Sequence, residues 1–182
     1  MTATKKVSIG NSALYCGNCF AILPNLLIKA DAVISDPPFG ITACDWDVAL
    51  PFEHFWKVVE RKTTPAANVV LFGCGRFSRD LINSNRKWYR YDLVWLKNKK
   101  VGFLNANKMS LRNHESIMEF LVKSYSDEGD TIIDLFMGSG TTGVAALQNN
   151  RRFIGIEKEQ RYFDVACQRI KQADVERQKG AS

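Results

Sequence analysis

The sequence predicts an α/β domain: a Rossmann-like, doubly wound, mostly parallel sheet with helices on both faces. Three observations predict it. Short apolar runs rich in β-branched residues alternate with helical patterns from one end of the chain to the other. A glycine-rich turn, Asp134-Leu-Phe-Met-Gly-Ser-Gly140, joins one such run directly to a helical pattern. The chain of 182 residues, 46% hydrophobic and 24% charged, suits one sizeable core, so residues 1–182 are expected to form a single domain.

In chain order, residues 20–29 carry apolar side chains at spacings of three and four and predict a helix, and residues 31–36 (DAVISD) predict a buried strand. A helical pattern over 53–61 leads to the strand pattern 68–72 (NVVLF), and a second over 77–85 leads to 91–95 (YDLVW). A helix over 118–125 precedes the strand 131–134 (TIID), and a helix over 141–149 precedes 152–157 (RFIGIE). The last pattern, 162–173, is again helical. No repeat, low-complexity tract or Pro/Gly-rich linker interrupts this order.

Composition excludes several classes. The balance of apolar and charged residues argues against disorder and fibrous repeats. No apolar run approaches the roughly 20 residues that span a bilayer, and the first residues lack the apolar core of a secretory signal, so a cytoplasmic, membrane-free protein is expected. Five cysteines, at 16, 19, 44, 74 and 167, suit reduced structural thiols better than a disulfide framework. Cys16-x-x-Cys19 has no second ligand pair at metal spacing, and the histidines are His54 and His114, so no metal site is expected. Twenty-five Lys and Arg against nineteen Asp and Glu leave a charge of +6, an excess compatible with a polyanionic partner.

The glycine turn is the first feature that carries chemistry. Gly138 and Gly140 free the backbone and let it approach a ligand. Glu157 ends the next apolar strand nineteen residues after Gly138, near the roughly 20-residue spacing of a ribose-binding acid. A phosphate-cradling loop needs a lysine, and none occurs between Asp134 and Arg151, which rejects ATP and GTP. Gly138-x-Gly140-x-x-Gly143 fits a dinucleotide fingerprint numerically, so the loop alone leaves NAD open.

The second feature is Ser35-Asp36-Pro37-Pro38-Phe39-Gly40. Two prolines end the preceding strand, remove two N–H donors and leave carbonyls and one carboxylate as acceptors. Asp36 and the Pro37 carbonyl can each take a hydrogen from an exocyclic NH2, and Phe39 offers a ring for stacking on an aminated base. An ordinary proline-terminated strand with Phe39 in the core is the competing reading of that tetrad alone.

With both features in place, the sequence resembles the S-adenosylmethionine-dependent amino-group DNA methyltransferases, of the circularly permuted type in which the catalytic motif precedes the cofactor loop. Asp36-Pro-Pro-Phe39 followed by Asp134-x-Phe-x-Gly-Ser-Gly140 carries the likeness. So do Leu14-Tyr-Cys-Gly-Asn18, Phe39-Gly-Ile-Thr-Ala-Cys-Asp-Trp-Asp47, residues 105–117 (NANKMSLRNHESI) and Tyr125-Ser-Asp-Glu-Gly-Asp130. The likeness covers most of 13–171 and is greatest to phage-type adenine-N6 enzymes, which implies DNA modification and leaves restriction-modification, orphan and phage roles open.

The resemblance implies transfer of a methyl group from S-adenosylmethionine to the N6 amine of adenine in DNA. It assigns catalysis to Asp36, Pro37, Pro38 and Phe39. Asn18, Asp134, Phe136, Gly138, Ser139, Gly140, Thr141 and Glu157 would bind the cofactor, with Asp134 orienting the amino end and Glu157 the ribose diol. Asn18 stands where the family usually has an acid, and Leu135 where a proline is frequent. Arg86, Lys87, Arg90, Lys97, Lys99, Lys100, Lys108 and Arg112 are expected to contact DNA phosphates. His114 is expected to support packing.

One departure is an absence. Relatives carry a target-recognition segment between the His-Glu strand and the next helix, whereas here residues 113–117, which resemble that strand, run directly into 118–126. A missing insertion near 117/118 is expected. Cytosine-N4 methylation, whose relatives more often show Ser at the Asp36 position, is the alternative activity, and a non-catalytic cofactor- or DNA-binding remnant is the alternative class.

Overall fold

The computed structural model describes residues 5–42, 47–95 and 112–180. A six-stranded sheet is built from β1 (Lys5–Ile9), β2 (Ser12–Cys16), β3 (Ala30–Ser35), β4 (Thr63–Leu71), β5 (Thr131–Asp134) and β6 (Arg152–Glu157) in the order β1-β2-β6-β5-β3-β4. The β1–β2 hairpin is antiparallel and the other pairings are parallel, which is the mostly parallel sheet the sequence predicts.

Alternating side chains sort the two faces. Ala32, Ile34, Ile132 and Phe153 join one core with Met118, Leu121, Ala145, Phe163 and Ile170. Those residues come from α4 (Arg112–Tyr125), α5 (Thr141–Gln148) and α6 (Gln160–Gly180). Val33, Ile133, Ile154 and Ile156 join the opposite core with Ile22, Phe55, Val59 and Phe77. These come from α1 (Cys19–Ile22), α2 (Phe52–Lys62) and α3 (Gly75–Ser84). Helices on both faces explain why the central strands read as continuous apolar runs rather than alternating ones.

Four details differ from the sequence reading. The helix expected over 20–29 stops at Ile22 and tightens into a 3-10 turn over Leu23–Asn25, because Pro24 cannot continue an α-helical ladder. Residues 91–95 form no strand: Val94 is 81% exposed, and Tyr91 instead places its hydroxyl 3.0 Å from that of Tyr125. Residues 113–117, strand-like by resemblance, lie within α4, whose buried Met118, Leu121 and Val122 extend an apolar stripe at helical spacing. The β1–β2 hairpin was not foreseen, although its Gly10-Asn11 turn, with Gly10 at φ +50°, is a hairpin signal.

Gly143 sets how closely α5 approaches the sheet. A Cβ there would lie 2.6 Å from both Phe153 Cε1 and Ile170 Cδ1. The third glycine of the Gly-x-Gly-x-x-Gly pattern is therefore accounted for by helix-to-sheet packing. Gly143→Ala is expected to destabilise the fold by about 1–3 kcal/mol through overpacking. A lower urea midpoint with an unchanged slope checks this.

Candidate functional site

The carboxyl ends of β2, β6, β5 and β3 lie side by side, and most of the candidate residues sit on or just beyond them. Asp134 ends β5 and is 3% exposed. Its Oδ1 accepts from the Ser35 hydroxyl at 2.6 Å and from the Phe136 N–H at 3.1 Å, and its Oδ2 accepts from the Thr142 hydroxyl at 2.7 Å. The Leu135 N–H donates in turn to Ser35 Oγ at 3.2 Å. One buried carboxylate thus joins the ends of β3 and β5 to the first turn of α5. Burial pushes the Asp134 carboxyl up to about 6, against the lowering effect of its hydrogen bonds, and the charge of nearby Asp36 adds to the rise.

Glu157 ends β6, half-buried. It accepts the Gly138 N–H on Oε2 at 2.9 Å and the Glu159 N–H on Oε1 at 2.8 Å. Burial raises its pKa above the ordinary glutamate value, with the backbone hydrogen bonds opposing. The Gly17 N–H donates to the Glu157 carbonyl at 2.8 Å, which brings the turn containing Asn18 beside it. Asn18 caps α1 by accepting the Phe20 N–H at 2.8 Å. Gly138 and Gly140 take left-handed conformations at φ +52° and +81°. No atom lies within 4 Å of a Cβ built on Gly138, so the loop has open space in front of it. Phe136, Ser139 and Thr141 are each half-buried on the same turn.

The Asp36 loop leaves the end of β3 directly after Ser35, with Asp36 exposed and Pro37 buried. Pro38 and Phe39 are half-buried, and the Phe39 ring packs against Phe77 of α3 at 4.8 Å between centroids. The competing reading of Phe39 as a core residue is therefore partly met: one face of the ring is occupied by protein.

Two residues outside the expected catalytic and cofactor-binding sets hold these loops. Asp47 is 8% exposed and accepts the N–H groups of Gly40, Ile41 and Thr42 at 2.7, 3.0 and 2.7 Å. The Gly40 and Thr42 hydrogen bonds hold its pKa down to about 2. The segment from Phe39 to Asp47 carries part of the resemblance, but that its last aspartate closes back on Gly40, Ile41 and Thr42 is not readable from the order of residues. Arg169, on α6, donates through Nη1 to the Ser139 carbonyl at 2.8 Å, to Ser139 Oγ at 2.9 Å and to Thr141 Oγ1 at 3.1 Å. No sequence signal connects residues 28 and 30 positions apart in this way.

Among the described residues no group of three or more His, Cys, Asp or Glu could hold a metal ion, and no helix is long and apolar enough to cross a membrane. Cys16, Cys19, Cys74 and Cys167 are free thiols, and burial pushes Cys19 up to about 12. Arg86, Lys87 and Arg90 are exposed around the turn after α3. Lys97, Lys99, Lys100 and Lys108 lie outside the described residues, as do the side chains of Arg112 and His114.

A family described as DNA methylase matches residues 91–168. The type II methyltransferase M2.DpnII of Streptococcus pneumoniae is 33% identical over 141 residues, covering 65% of this chain and 52% of its own length. The chain spans about half or less of the curated relatives it matches. Among solved structures, M1.HpyAVI superposes with a TM-score of 0.67 at 25% identity, covering 86% of this chain and 97% of its own. It has also been solved as a complex with SAM. The cytosine-N4-specific PvuII DNA methyltransferase gives a TM-score of 0.61 over 94% of this chain and 93% of its own; at 15% identity that likeness is one of fold.

Asp134 generates a pH prediction. Its folded pKa of about 6 exceeds the ordinary 3.8, so between those values the folded chain holds a proton that the unfolded chain has lost. This group's contribution to stability therefore rises as pH falls from 6 towards 4. Relative to Asp134→Asn, the native chain is expected to gain up to about 3 kcal/mol over that window. Urea unfolding of both proteins from pH 7 to pH 4 checks it.

Proposed function

We propose that this chain is a DNA amino-methyltransferase domain that uses S-adenosylmethionine and acts on the N6 amine of adenine. The observation that carries the reading is the Ser35 to Asp134 hydrogen bond of 2.6 Å. It ties the strand end from which the Asp36-Pro-Pro-Phe39 acceptor loop departs to the strand end from which the glycine loop departs. An amine-binding loop beside a cofactor loop is the arrangement that methyl transfer between two bound molecules needs.

The residues fit the cofactor. Glu157 offers a carboxylate at a strand end, where it can accept from a ribose diol through lone pairs left beside its two backbone contacts. The space in front of Gly138 admits a ligand against the main chain. Asn18 can accept one hydrogen bond from an adenine amine, while Phe136, Gly138, Ser139, Gly140 and Thr141 line the amino-acid side. Asp134, enclosed by its protein donors, acts on the amino end through its charge and by fixing this turn. When bound, the cofactor supplies a methyl group on an excellent leaving group.

Asp36 and the Pro37 carbonyl accept the two hydrogens of N6 and favour a pyramidal nitrogen, whose lone pair is then less delocalised into the ring. Pro38 holds the loop. The target base leaves the duplex and is received on the face of Phe39 away from Phe77. Arg86, Lys87 and Arg90 supply phosphate contacts. Asp36 favours adenine over cytosine-N4 as substrate, and nucleoside analysis after transfer of a labelled methyl group to unmodified DNA distinguishes the two products.

Asp36→Ala is expected to lower single-turnover methyl transfer by about 100-fold or more, with cofactor affinity changed much less, because Asp36 acts in the chemical step. Near-native turnover would remove it from the mechanism. The intact chain is expected to bind DNA with little sequence preference and to methylate it slowly, since a recognition segment that relatives place near 117/118 is proposed to be missing. Competition binding between unrelated duplexes, with methyl incorporation measured in parallel, checks this; efficient methylation of one defined site contradicts it.

A further inference from the structure

The glycine loop contains no cation of its own, yet one reaches it from α6. Arg169 Nη1 lies within 3.1 Å of three acceptors: the Ser139 carbonyl, Ser139 Oγ and Thr141 Oγ1. The approach is close because α6 presents Ala166, fully buried, directly behind the loop: a Cβ on Gly140 would lie 2.9 Å from the Ala166 Cβ. The peptide between Ser139 and Gly140 is consequently held at both ends, its carbonyl by Arg169 and its N–H by the Met137 carbonyl at 2.8 Å.

The chemistry of the guanidinium decides what the two hydroxyls can do. Arginine has donors only, so both Ser139 Oγ and Thr141 Oγ1 must act as acceptors towards it. Each hydroxyl still owns one hydrogen, which is left to be donated away from Arg169. A hydroxyl that accepts from a cation is polarised and becomes a stronger donor. Two such donors, two residues apart on a turn that faces open space at Gly138, suit an anionic group with paired oxygens.

We infer that Arg169 is a positioning residue that turns the Ser139 and Thr141 hydroxyls into donors for the carboxylate of an amino-acid-bearing cofactor. This rests on the reading of the glycine loop as the cofactor site. It makes the amino-acid end of the ligand, rather than its adenosine end, dependent on α6. Ser139 and Thr141 are among the expected cofactor-binding residues; Arg169 is not.

Calorimetry with the full chain tests this, using two probes: S-adenosylhomocysteine, which carries the amino acid, and 5′-methylthioadenosine, which lacks it. The native chain is expected to bind the first more tightly. Arg169→Ala is expected to weaken S-adenosylhomocysteine about tenfold, equivalent to about 1.4 kcal/mol, and 5′-methylthioadenosine less than about twofold. Arg169→Lys should recover only part of the loss, since the lysine side chain is one bond shorter and does not bring its ammonium to the position that Nη1 occupies between Ser139 and Thr141. Ser139→Ala combined with Thr141→Val leaves Arg169 in place and should reproduce the selective loss, which carries the test if Arg169→Ala does not fold. Equal losses for both probes would reduce Arg169 to a structural role, and no loss would remove it altogether. A native chain that binds both probes equally overturns the inference while leaving the cofactor reading intact; one that binds neither overturns both.

Discussion

The arrangement of the site depends on a carboxylate placed where a carboxylate is costly. Asp134 is buried between β3, β5 and α5, and its ionised form is tolerated there because two hydroxyls and one backbone N–H donate to it. An apolar residue at this position would pack a strand end without linking it to its neighbours. The carboxylate instead couples Ser35, the last residue before the Asp36 loop, to Thr142, in the first turn of the helix that follows the glycine loop. Adjacent parallel strands lie about 4.8 Å apart. The two loops therefore start from neighbouring points and share one bonded anchor.

Beyond that anchor the loops are held differently. The glycine loop is gripped from two other elements: Glu157 on β6 accepts the Gly138 N–H, and Arg169 on α6 donates to Ser139 and Thr141. Its conformation is a property of the packed α5, α6 and β6 assembly. The Asp36 loop is closed mainly from within its own stretch of chain, by the Asp47 carboxylate collecting three consecutive N–H groups. The Phe39 and Phe77 ring contact attaches it to α3. On the proposed reading, the loop fixed by tertiary contacts receives the cofactor and the loop fixed by a local clasp receives the base, so that positioning is supplied before either binds.

The central strands were legible because burial on both faces leaves its mark in composition: residues 131–134 and 152–157 form β5 and β6 at the expected bounds. Strand patterns without a secured partner were not. Residues 91–95 have the β-branched and aromatic content of a strand but lie outside the sheet, because a ladder is a property of two segments and only one is visible in a local pattern. The helix expected over 20–29 ends early for the opposite reason: the apolar spacing continues past Ile22, but the local cost of Pro24 outweighs it. The helical state of 113–117 shows how an apolar stripe that continues into a helix can override a likeness to a strand.

By itself the sequence determined the fold class, the two loops and most of the side chains that line them, because these depend on short-range patterns: strand, glycine turn, helix, and an acid followed by two prolines. The tertiary structure decided how those side chains are engaged. It showed that Asp134 is enclosed by protein donors, that Gly143 is required by Phe153 and Ile170, and that a cation reaches the glycine loop from α6. The bonds made by Ser35, Thr142 and Arg169 among these join residues between 8 and 99 positions apart. Hydrogen-bond geometry over such separations is set by how layers pack, and packing leaves no periodic trace in the order of residues.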